Sequence, residues 1–274
     1  MPFGMDDTTS RIAALESAFR ERGPALVAFS GGVDSAVVAA LAHRALGERS
    51  LAVTAAAETL TGRELDHARG LAREIGIRHE IITYSELDSP EYVRNPAWRC
   101  YVCQGMRMDG MLRVARERGY AVVCDGTNAS DPGPDRPGQR ALRERGVWSP
   151  LLEHGVDKGG VRVIARELGL SVAERPANAC LSSRIPHGQV VTLGKLRRIE
   201  AAEDLLLELG FRVVRVRHED ERARVEVDAA EVDRLRALWS EVEPRLRALG
   251  FRAAALDAAG YRRGGADSHA AAQP

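Results

Sequence analysis

Apolar residues in the first two thirds of the chain form either short continuous runs or longer stretches with a helical period. Ile12, Leu15 and Phe19 are spaced for one face of a helix, which predicts an amphipathic helix over residues 8–22. The run ALVAFS after Pro24 is short and apolar, as in a buried strand. Further strands are predicted at 51–57, 79–83 and 120–126, and further helices at 36–46, 61–75, 101–118 and 158–168. Residues 129–140 are rich in Asp, Pro and Gly, which predicts a loop. Apolar strands that alternate with helices predict a doubly wound parallel sheet, an α/β fold with helices on both faces.

The pattern changes after Leu170. Prolines and glycines interrupt residues 171–191, and a helix at 192–209 is followed by two strands of alternating polarity, a helix at 231–248 and a last strand. Two helices beside a small sheet predict a second, smaller α+β domain. The predicted domains are 1–170, a linker at 171–191 that carries Cys180, a small domain at 192–264 and a disordered tail at 265–274.

Composition narrows the range of functions. The 39 Lys and Arg residues balance 39 Asp and Glu residues, and aromatic residues make up 5% of the chain. Without a basic surplus, the chain is a poor candidate for binding nucleic acid. The N-terminus has no signal-peptide pattern, and no apolar run approaches the ~20 residues of a membrane span. We expect a cytoplasmic protein that binds neither nucleic acid nor membrane, with reduced cysteines, of which Cys124 belongs to the core.

A turn rich in glycine and serine, SGGVDS at residues 30–35, joins the first predicted strand to the next helix. Glycines let the backbone approach a phosphate closely, and the helix N-terminus directs its N–H groups at the same point. Ser30 and Ser35 add hydroxyl donors, and Asp34 can orient the loop or bind Mg²⁺. The alternative is a turn whose glycines serve packing alone, but packing requires neither the serines nor the aspartate.

The SGGVDS turn resembles the PP-loop of ATP pyrophosphatases, which have an adenine nucleotide alpha hydrolase-like fold. DGTN at 125–128, and SPLL at 149–152 followed by Lys158, are similar to segments that line the nucleotide site of those enzymes. The enzymes cleave ATP to AMP and pyrophosphate and adenylate a carbonyl oxygen. The resemblance implies ATP with Mg²⁺ and nucleotide contacts from Ser30, Gly31, Gly32, Asp34, Ser35, Asp125, Gly126, Thr127, Asn128 and Lys158.

The segment PANACLSSRIPHG at 176–188 resembles the P-x-x-x-C-L-x-S-R motif of the LarE family, and DAAGYRRG at 257–264 resembles that family's closing motif. LarE proteins are ATP-dependent sulfur transferases of the PP-loop superfamily. They convert pyridinium-3,5-dicarboxylate mononucleotide into the thiocarboxylate precursor of the nickel-pincer nucleotide cofactor. In one class the motif cysteine, which is Cys180 here, gives up its own sulfur and becomes dehydroalanine. The resemblance implies the same activity for this chain.

Cys100 and Cys103 form a C-x-x-C pair ahead of the helix predicted at 101–118. Two cysteines at this spacing can contribute half of a zinc site, act as a redox dithiol, bind a cluster or simply lie buried. The pattern resembles the three-cysteine class of LarE, in which Cys100, Cys103 and Cys180 would bind a [4Fe–4S] cluster that carries the transferable sulfur. Gln104 departs from that class, where a lysine is expected after the second cysteine.

Carbonyl chemistry explains why ATP is needed. A carboxylate is a poor electrophile because oxide would have to leave, whereas an acyl-adenylate loses AMP. The PP-loop and Lys158 would stabilise the charge on the departing pyrophosphate, with Mg²⁺ shared. The sulfur nucleophile is then either a cluster-bound sulfide or the Cys180 thiolate, and the sequence leaves both routes open.

The strand VVRVRH of the small domain places Arg215 and Arg217 on one face. This face either clamps a phosphate or is an ordinary solvated surface, and the family resemblance favours a clamp for the substrate phosphate. The resemblance also implies catalytic positions at Cys180, Ser183, Arg184 and Glu203 and a substrate contact at Trp98. Trp98 either stacks on a pyridinium ring or plugs a loop, and Glu203 fits a plain surface position equally well by spacing alone.

Three other functions fit parts of the pattern. An amide-forming synthetase of the NAD or GMP synthetase type needs an ammonia source, and a glutaminase domain does not fit in 274 residues. A tRNA thiolase needs a surface for tRNA, which the neutral net charge disfavours. A non-catalytic nucleotide sensor would not need three spaced cysteines. The LarE resemblance further implies a homo-oligomer, with a sulfur donor protein and a downstream nickel-insertion protein as partners.

Overall fold

The structure is a computed structural model that describes residues 5–131, 136–176 and 179–262. Its contacts divide the chain into two compact units. Of the described residues, the N-unit contains 5–85 and 98–176, and the C-unit contains 86–97 and 179–262. The domain boundaries predicted at residues 170 and 191 stay predictions.

Both units consist of helices and strands, which alternate along the N-unit as the sequence predicts. The helices, in chain order, are α1 (Met5–Arg22), α2 (Val33–Leu46), α3 (Gly62–Ile75), α4 (Pro90–Val93), α5 (Arg99–Arg118), α6 (Pro137–Glu144), α7 (Pro150–Glu153), α8 (Lys158–Glu167), α9 (Leu193–Glu208), α10 (Val232–Ala237) and α11 (Trp239–Ala248). The strands are β1 (Ala25–Ala28), β2 (Ser50–Ala56), β3 (His79–Thr83), β4 (Val122–Cys124), β5 (Val214–Glu219), β6 (Arg222–Val227) and β7 (Ala253–Leu256). Among the residues that the structure describes, no helix has both the length and the apolar character needed to cross a membrane.

The N-unit is built on a parallel sheet with the strand order β3-β2-β1-β4. Neighbouring residues of β1 point to opposite faces, so that Ala25 and Val27 pack with α1, α2 and α8, while Leu26 packs with α5 and α6. Helices therefore cover both faces, which confirms the predicted doubly wound α/β fold. The connections from β1 and β4 leave the same edge of the sheet, where such folds bind their ligands.

The C-unit has a three-stranded sheet of order β5-β6-β7, in which β5 and β6 are antiparallel and β6 and β7 parallel. Val214 and Val216 of β5 face a core formed with α9, α10 and α11. Because side chains alternate along a strand, Arg215 and Arg217 lie together on the opposite face, as predicted. The second sheet gives this unit its α+β character.

Two local predictions were wrong. Helix α6 begins at Pro137, inside the stretch 129–140 that its prolines and glycines marked as a loop. Proline is well tolerated in the first turn of a helix, where its missing N–H has no partner to lose. The single helix predicted at 231–248 is two helices, α10 and α11, which meet at Leu238 in a non-helical conformation (φ −91°, ψ 0°).

Candidate functional site

The turn at residues 30–35 connects the carboxyl end of β1 to the start of α2. Ser35 Oγ donates to the carbonyl of Gly32 (3.0 Å) and accepts from the backbone N–H of Ser30 (3.2 Å). The two serine hydroxyl oxygens lie 3.1 Å apart. Gly32 precedes α2 and has no side chain to cap the helix, which leaves the first N–H groups of α2 for an anion.

Gly31 brings the turn close to α3. Its φ is +75°, and a Cβ at this position would lie 3.2 Å from Ala68 Cα and 3.3 Å from His67 Cδ2, so only glycine fits well. The carbonyl of Gly31 accepts a hydrogen bond from His67 Nε2 (3.1 Å). Burial and the charge of Arg175 lower the pKa of His67, which favours the neutral ring with its proton on Nε2. Sequence reasoning missed His67, because nothing in the helical pattern of α3 distinguishes it.

Asp34 connects three segments that are distant in sequence. Its Oδ1 accepts from Asn128 Nδ2 (3.1 Å), and its Oδ2 accepts from Lys158 Nζ (2.5 Å). Lys158 begins α8, and its backbone N–H donates to Ser130 Oγ (2.9 Å). Each carboxylate oxygen has a further lone pair, so Asp34 retains the capacity to ligate Mg²⁺ beside a phosphate.

Asp125 and Gly126 hold the loop after β4 against the start of α2. The carboxylate of Asp125 accepts hydrogen bonds from Ser149 Oγ (2.6 Å) and Thr127 Oγ1 (2.5 Å). Burial raises the pKa of Asp125, and these two hydrogen bonds oppose the rise. A Cβ on Gly126 would lie 2.7 Å from the backbone nitrogen of Ser35, so any side chain there would force the two loops apart.

The groups around the start of α2 suit a nucleoside triphosphate. Backbone N–H groups, two hydroxyls and one ammonium group converge on the same helix N-terminus, the usual arrangement of a phosphate site. The structure therefore brings together the N-unit residues that the sequence predicts for nucleotide binding.

Helix α5 begins at Arg99, two residues before the predicted start, so Cys100 lies in its first turn together with Cys103 and not ahead of the helix. The early start was missed because the residue that precedes the helix, Trp98, is not a polar capping residue. At a spacing of three the two thiols share one face of the helix. Cys100 is exposed and Cys103 half-buried with Arg107 Nη2 at 3.7 Å from its Sγ, so the reading as two buried cysteines is wrong. Cys124 is buried in β4, as expected of a core residue.

Cys180 precedes a short 3₁₀ turn, Leu181–Arg184, in the C-unit. Its thiol is half-buried, and Sγ lies 3.2 Å from Ser182 Oγ. Arg184 Nη1 donates to the carbonyl of Cys180 (2.9 Å) and also to that of Ala179. The backbone on both sides of the cysteine is therefore held by one guanidinium group.

The same guanidinium is anchored by a glutamate. Arg184 is 1% exposed, and its Nε and Nη2 each donate to the carboxylate of Glu203 at 2.9 Å. Glu203 Oε1 also accepts from the backbone N–H of Val216 on β5 (3.0 Å). Glu203 is thus a buried connector between α9 and β5, and its reading as a plain surface glutamate is wrong.

Arg215 and Arg217 lie on a buried face of β5, with exposed fractions of 8% and 6%, so the reading of this face as solvated is wrong. Arg217 forms two hydrogen bonds with the carboxylate of Glu226 (3.0 and 2.9 Å) and donates to the carbonyl of Ser183 (3.1 Å). Arg217 is therefore committed to partners inside the protein, and it also supports the 3₁₀ turn that follows Cys180.

Arg215 differs from its neighbour. Within the described residues it has no carboxylate partner, and its Nη1 donates to the carbonyl of Val214 (2.6 Å). The ring of Tyr261 lies under the guanidinium, 5.1 Å from its carbon to the ring centroid. Burial and the positive charge of Arg184 lower the pKa of Arg215. Glu203, which is already paired with Arg184, acts in the opposite direction. A buried cation that forms no ion pair of its own is a candidate binding site for an anion.

The closing motif positions this tyrosine. Asp257 accepts from Arg224 Nη1 (2.6 Å), and the backbone N–H of Tyr261 donates to the carbonyl of Val227 (2.7 Å). Four residues of the two predicted motifs, Ala177, Asn178, Arg263 and Gly264, lie outside the described residues, as does the tail predicted at 265–274.

The remaining predicted positions are Trp98 and the metal ligands. Trp98 is 53% exposed, so it does not plug a loop. Within the parts of the chain that the structure describes, no group of three or more His, Cys, Asp or Glu side chains is placed to hold a metal ion. The thiols predicted for a cluster comprise a pair on α5 of the N-unit and Cys180 of the C-unit.

Comparison with known proteins identifies relatives of both units. Residues 12–129 match the asparagine synthase family model. The chain is 39% identical to an uncharacterized protein of Synechocystis, over 93% of this chain and 96% of that protein. It is 34% identical to the pyridinium-3,5-bisthiocarboxylic acid mononucleotide synthase of Lactiplantibacillus plantarum, over 95% of each chain.

A further relative matches less of the chain. A tRNA-specific 2-thiouridylase of Rhizobium rhizogenes is 28% identical, and the match covers 71% of this chain and 59% of that protein. Similarity to the mononucleotide synthase therefore extends through both units, whereas similarity to the thiouridylase is partial.

Replacement of Gly126 by alanine tests the close packing of the loop after β4. The new methyl group must displace the backbone at Ser35, and overpacking of this kind costs about 1–3 kcal/mol. We expect Gly126→Ala to lower the free energy of unfolding by about that amount and to weaken ATP binding about tenfold or more. Urea unfolding and titration calorimetry measure the two effects.

Gly70→Ala is the matched control. No atom lies within 4 Å of its new methyl group, and the residue lies inside α3, so this variant should be slightly stabilised with ATP affinity unchanged. Wild-type ATP affinity in Gly126→Ala would contradict the assignment of this loop to the nucleotide site.

Proposed function

The chain belongs to the LarE family of the PP-loop superfamily, and we propose that it is an ATP-dependent sulfur transferase that acts on pyridinium-3,5-dicarboxylate mononucleotide. The enzyme adenylates a carboxylate of this substrate and replaces oxygen by sulfur, which yields the thiocarboxylate precursor of the nickel-pincer nucleotide. The observation that carries the proposal is the buried guanidinium of Arg215, which forms no ion pair within the described residues, because a mononucleotide brings a phosphate to such a site.

ATP binds with its phosphates at the start of α2. Lys158 reaches them by exchanging its contact with Asp34 for one with a phosphate oxygen. This exchange breaks an ion pair whose side chains are only about a quarter exposed, and a phosphate oxygen then takes the place of the carboxylate as the partner of the lysine. The carboxylate of Asp34 is the group that would share Mg²⁺ with the phosphates, and the ion would supply positive charge for the leaving pyrophosphate.

Adenylation activates the substrate carboxylate. One of its oxygens attacks the α-phosphorus of ATP, the bond from that phosphorus to the bridging oxygen breaks, and pyrophosphate leaves with the electron pair. The N–H groups of α2 and the ammonium group of Lys158 stabilise the charge that develops on the leaving group. The product is an acyl-adenylate, whose leaving group in the next step is AMP.

Sulfur transfer follows at the acyl carbon. In the sacrificial route the Cys180 thiolate attacks this carbon, and AMP leaves. Removal of the proton on Cα of Cys180 then breaks the Cβ–S bond, which releases the thiocarboxylate and leaves dehydroalanine. Arg184 and Glu203 act in this scheme as positioning residues, since their polar groups hold the backbone around Cys180 and bond to each other.

We propose in addition that Cys100, Cys103 and Cys180 hold an iron–sulfur cluster. The two thiols of the pair lie on one face of α5, one exposed and one half-buried, and this placement supports binding of one cluster by both. The bound cluster would supply sulfide, so that Cys180 keeps its own sulfur. We also propose that the enzyme is a homo-oligomer that works with a sulfur donor protein and a nickel-insertion protein.

Incubation with candidate substrates tests the function directly. With ATP, Mg²⁺ and the dicarboxylate mononucleotide, the wild-type protein should release pyrophosphate and AMP, and mass spectrometry should show oxygen replaced by sulfur in the product. Unmodified tRNA serves as the competing substrate, since a thiouridylase is among the relatives. Thiolation of tRNA, with no change in the mononucleotide, would contradict the proposed function.

Arg215→Ala tests the phosphate site. Loss of a charge-assisted hydrogen bond costs about 1.5–3 kcal/mol, so we expect the KM for the mononucleotide to rise about 10- to 150-fold. The KM for ATP should be unchanged, because ATP binds in the N-unit. Arg222→Ala, which removes an exposed arginine from the neighbouring strand β6, should leave both constants at their wild-type values. An unchanged KM for the mononucleotide in Arg215→Ala would place its phosphate elsewhere.

Protein mass and iron content separate the two sources of sulfur. If the cluster is present, anaerobically purified protein should be brown and contain iron and sulfide, and Cys100→Ser and Cys103→Ser should lose both. Cys124→Ala, at a buried cysteine of the core, is the control and should retain them. Colourless, iron-free protein that loses the mass of one H₂S at Cys180 in a single turnover would instead establish the sacrificial route.

A further inference from the structure

Asn95 occupies an uncommon backbone conformation in the segment 86–97, which belongs to the C-unit. Its side chain is fully buried, and its φ is +56°, in the left-handed region that few residues other than glycine adopt. Asparagine enters this region more readily than most residues, because its short side chain can hydrogen-bond nearby backbone groups. A buried residue in this conformation needs contacts that hold it there.

The amide group of Asn95 makes such contacts. Nδ2 donates to the carbonyls of Ile185 (3.3 Å), Pro186 (2.7 Å) and Gln189 (2.9 Å). The carbonyl of Asn95 accepts from the backbone N–H of Gly188 (2.9 Å) in the same turn. One residue from a distant part of the sequence therefore closes the whole turn.

This turn directly follows the loop that carries Cys180. Arg184, the last residue of that loop, holds the carbonyl of Cys180 from one side (2.9 Å). Asn95 holds the next residue, Ile185, so the loop is fixed at its far end as well. Along the chain, Asn95 precedes Cys100 by only five residues.

We propose that Asn95 is a positioning residue for sulfur transfer. It ties the segment that leads into the Cys100/Cys103 pair to the turn that follows Cys180, and so sets the conformation of the Cys180 loop. The inference rests on the proposed function for the role of that cysteine. An amide is required because three carbonyl oxygens converge on one NH₂ group, and a carbonyl oxygen accepts hydrogen bonds only from a donor.

Asn95→Asp tests this role, because it preserves the shape of the side chain and removes its donors. We expect the amide hydrogens of Gly188 and Val191, which bond to the carbonyls of Asn95 and Val93, to exchange faster with solvent. Alkylation of Cys180 by iodoacetamide in the full-length protein without substrates should be at least about threefold faster. Turnover of the mononucleotide should fall about tenfold, with the KM for ATP unchanged. Peptide-level mass spectrometry follows exchange and alkylation.

Two further variants separate positioning from general instability. Leu246→Ala removes a buried side chain from the core of the C-unit, at a cost of about 2–5 kcal/mol, and should leave Cys180 alkylation at the wild-type rate. Asn95→Gly retains the left-handed backbone without the amide and should behave like Asn95→Asp; if the aspartate variant does not fold, Asn95→Gly provides the result.

The alkylation rate decides the outcome independently of turnover. A wild-type rate in both Asn95 variants would overturn the inference, and so would equal acceleration in Leu246→Ala. Faster alkylation confined to the Asn95 variants would support it, even if the wild-type protein failed to thiolate the mononucleotide and the proposed function were thereby rejected.

Discussion

Burial of the Arg215 guanidinium without a carboxylate partner among the described residues is the constraint on which the proposed chemistry of the C-unit depends. An uncompensated charge in a protein interior destabilises the fold, commonly by about 3–5 kcal/mol when it results from loss of a partner. The ring of Tyr261 and the carbonyl of Val214 offset part of this cost, while burial and the nearby charge of Arg184 lower the pKa of Arg215. A phosphate bound at Arg215 would give the guanidinium an anionic partner. The unfavourable burial of the free cation therefore favours binding of an anion.

The neighbouring arginines show how the partner decides the role of a side chain. Arg184 and Arg217 are also buried, but each donates two hydrogen bonds to a carboxylate, that of Glu203 for Arg184 and that of Glu226 for Arg217. Their remaining N–H groups donate to main-chain carbonyls around Cys180 and at Ser183, where they fix the backbone. Bidentate pairing makes these guanidiniums rigid supports, because it fixes orientation as well as charge. Arg184 and Arg217 therefore support the backbone, whereas Arg215 is the arginine proposed to bind the ligand.

Local pattern predicts the parts of this structure that depend on neighbours in sequence. The alternation of apolar strands and helices gives the parallel sheet, and a period of two places Arg215 and Arg217 on one face. Burial of that face could not be predicted, because it depends on partners such as Glu226 and on an enclosing core. Asp34 and Lys158 are joined by an ion pair across 124 positions. The family resemblance assigned both residues to the nucleotide site, but nothing in the sequence predicted their contact. Asn95 escaped prediction for the same reason, since its partners lie about 90 residues away.

The two charged sites differ in what a ligand must displace. At the start of α2, Lys158 already has a partner in Asp34, so a phosphate that recruits the lysine leaves the carboxylate without its cation. A divalent cation that enters with the nucleotide restores the balance, which is the physical reason for binding ATP as its Mg²⁺ complex. At Arg215 a phosphate breaks no ion pair and leaves no carboxylate exposed, so it needs no metal. In the proposed scheme, phosphate binding at the first site therefore depends on Mg²⁺, whereas at Arg215 it depends on a buried cation that forms no ion pair within the described residues.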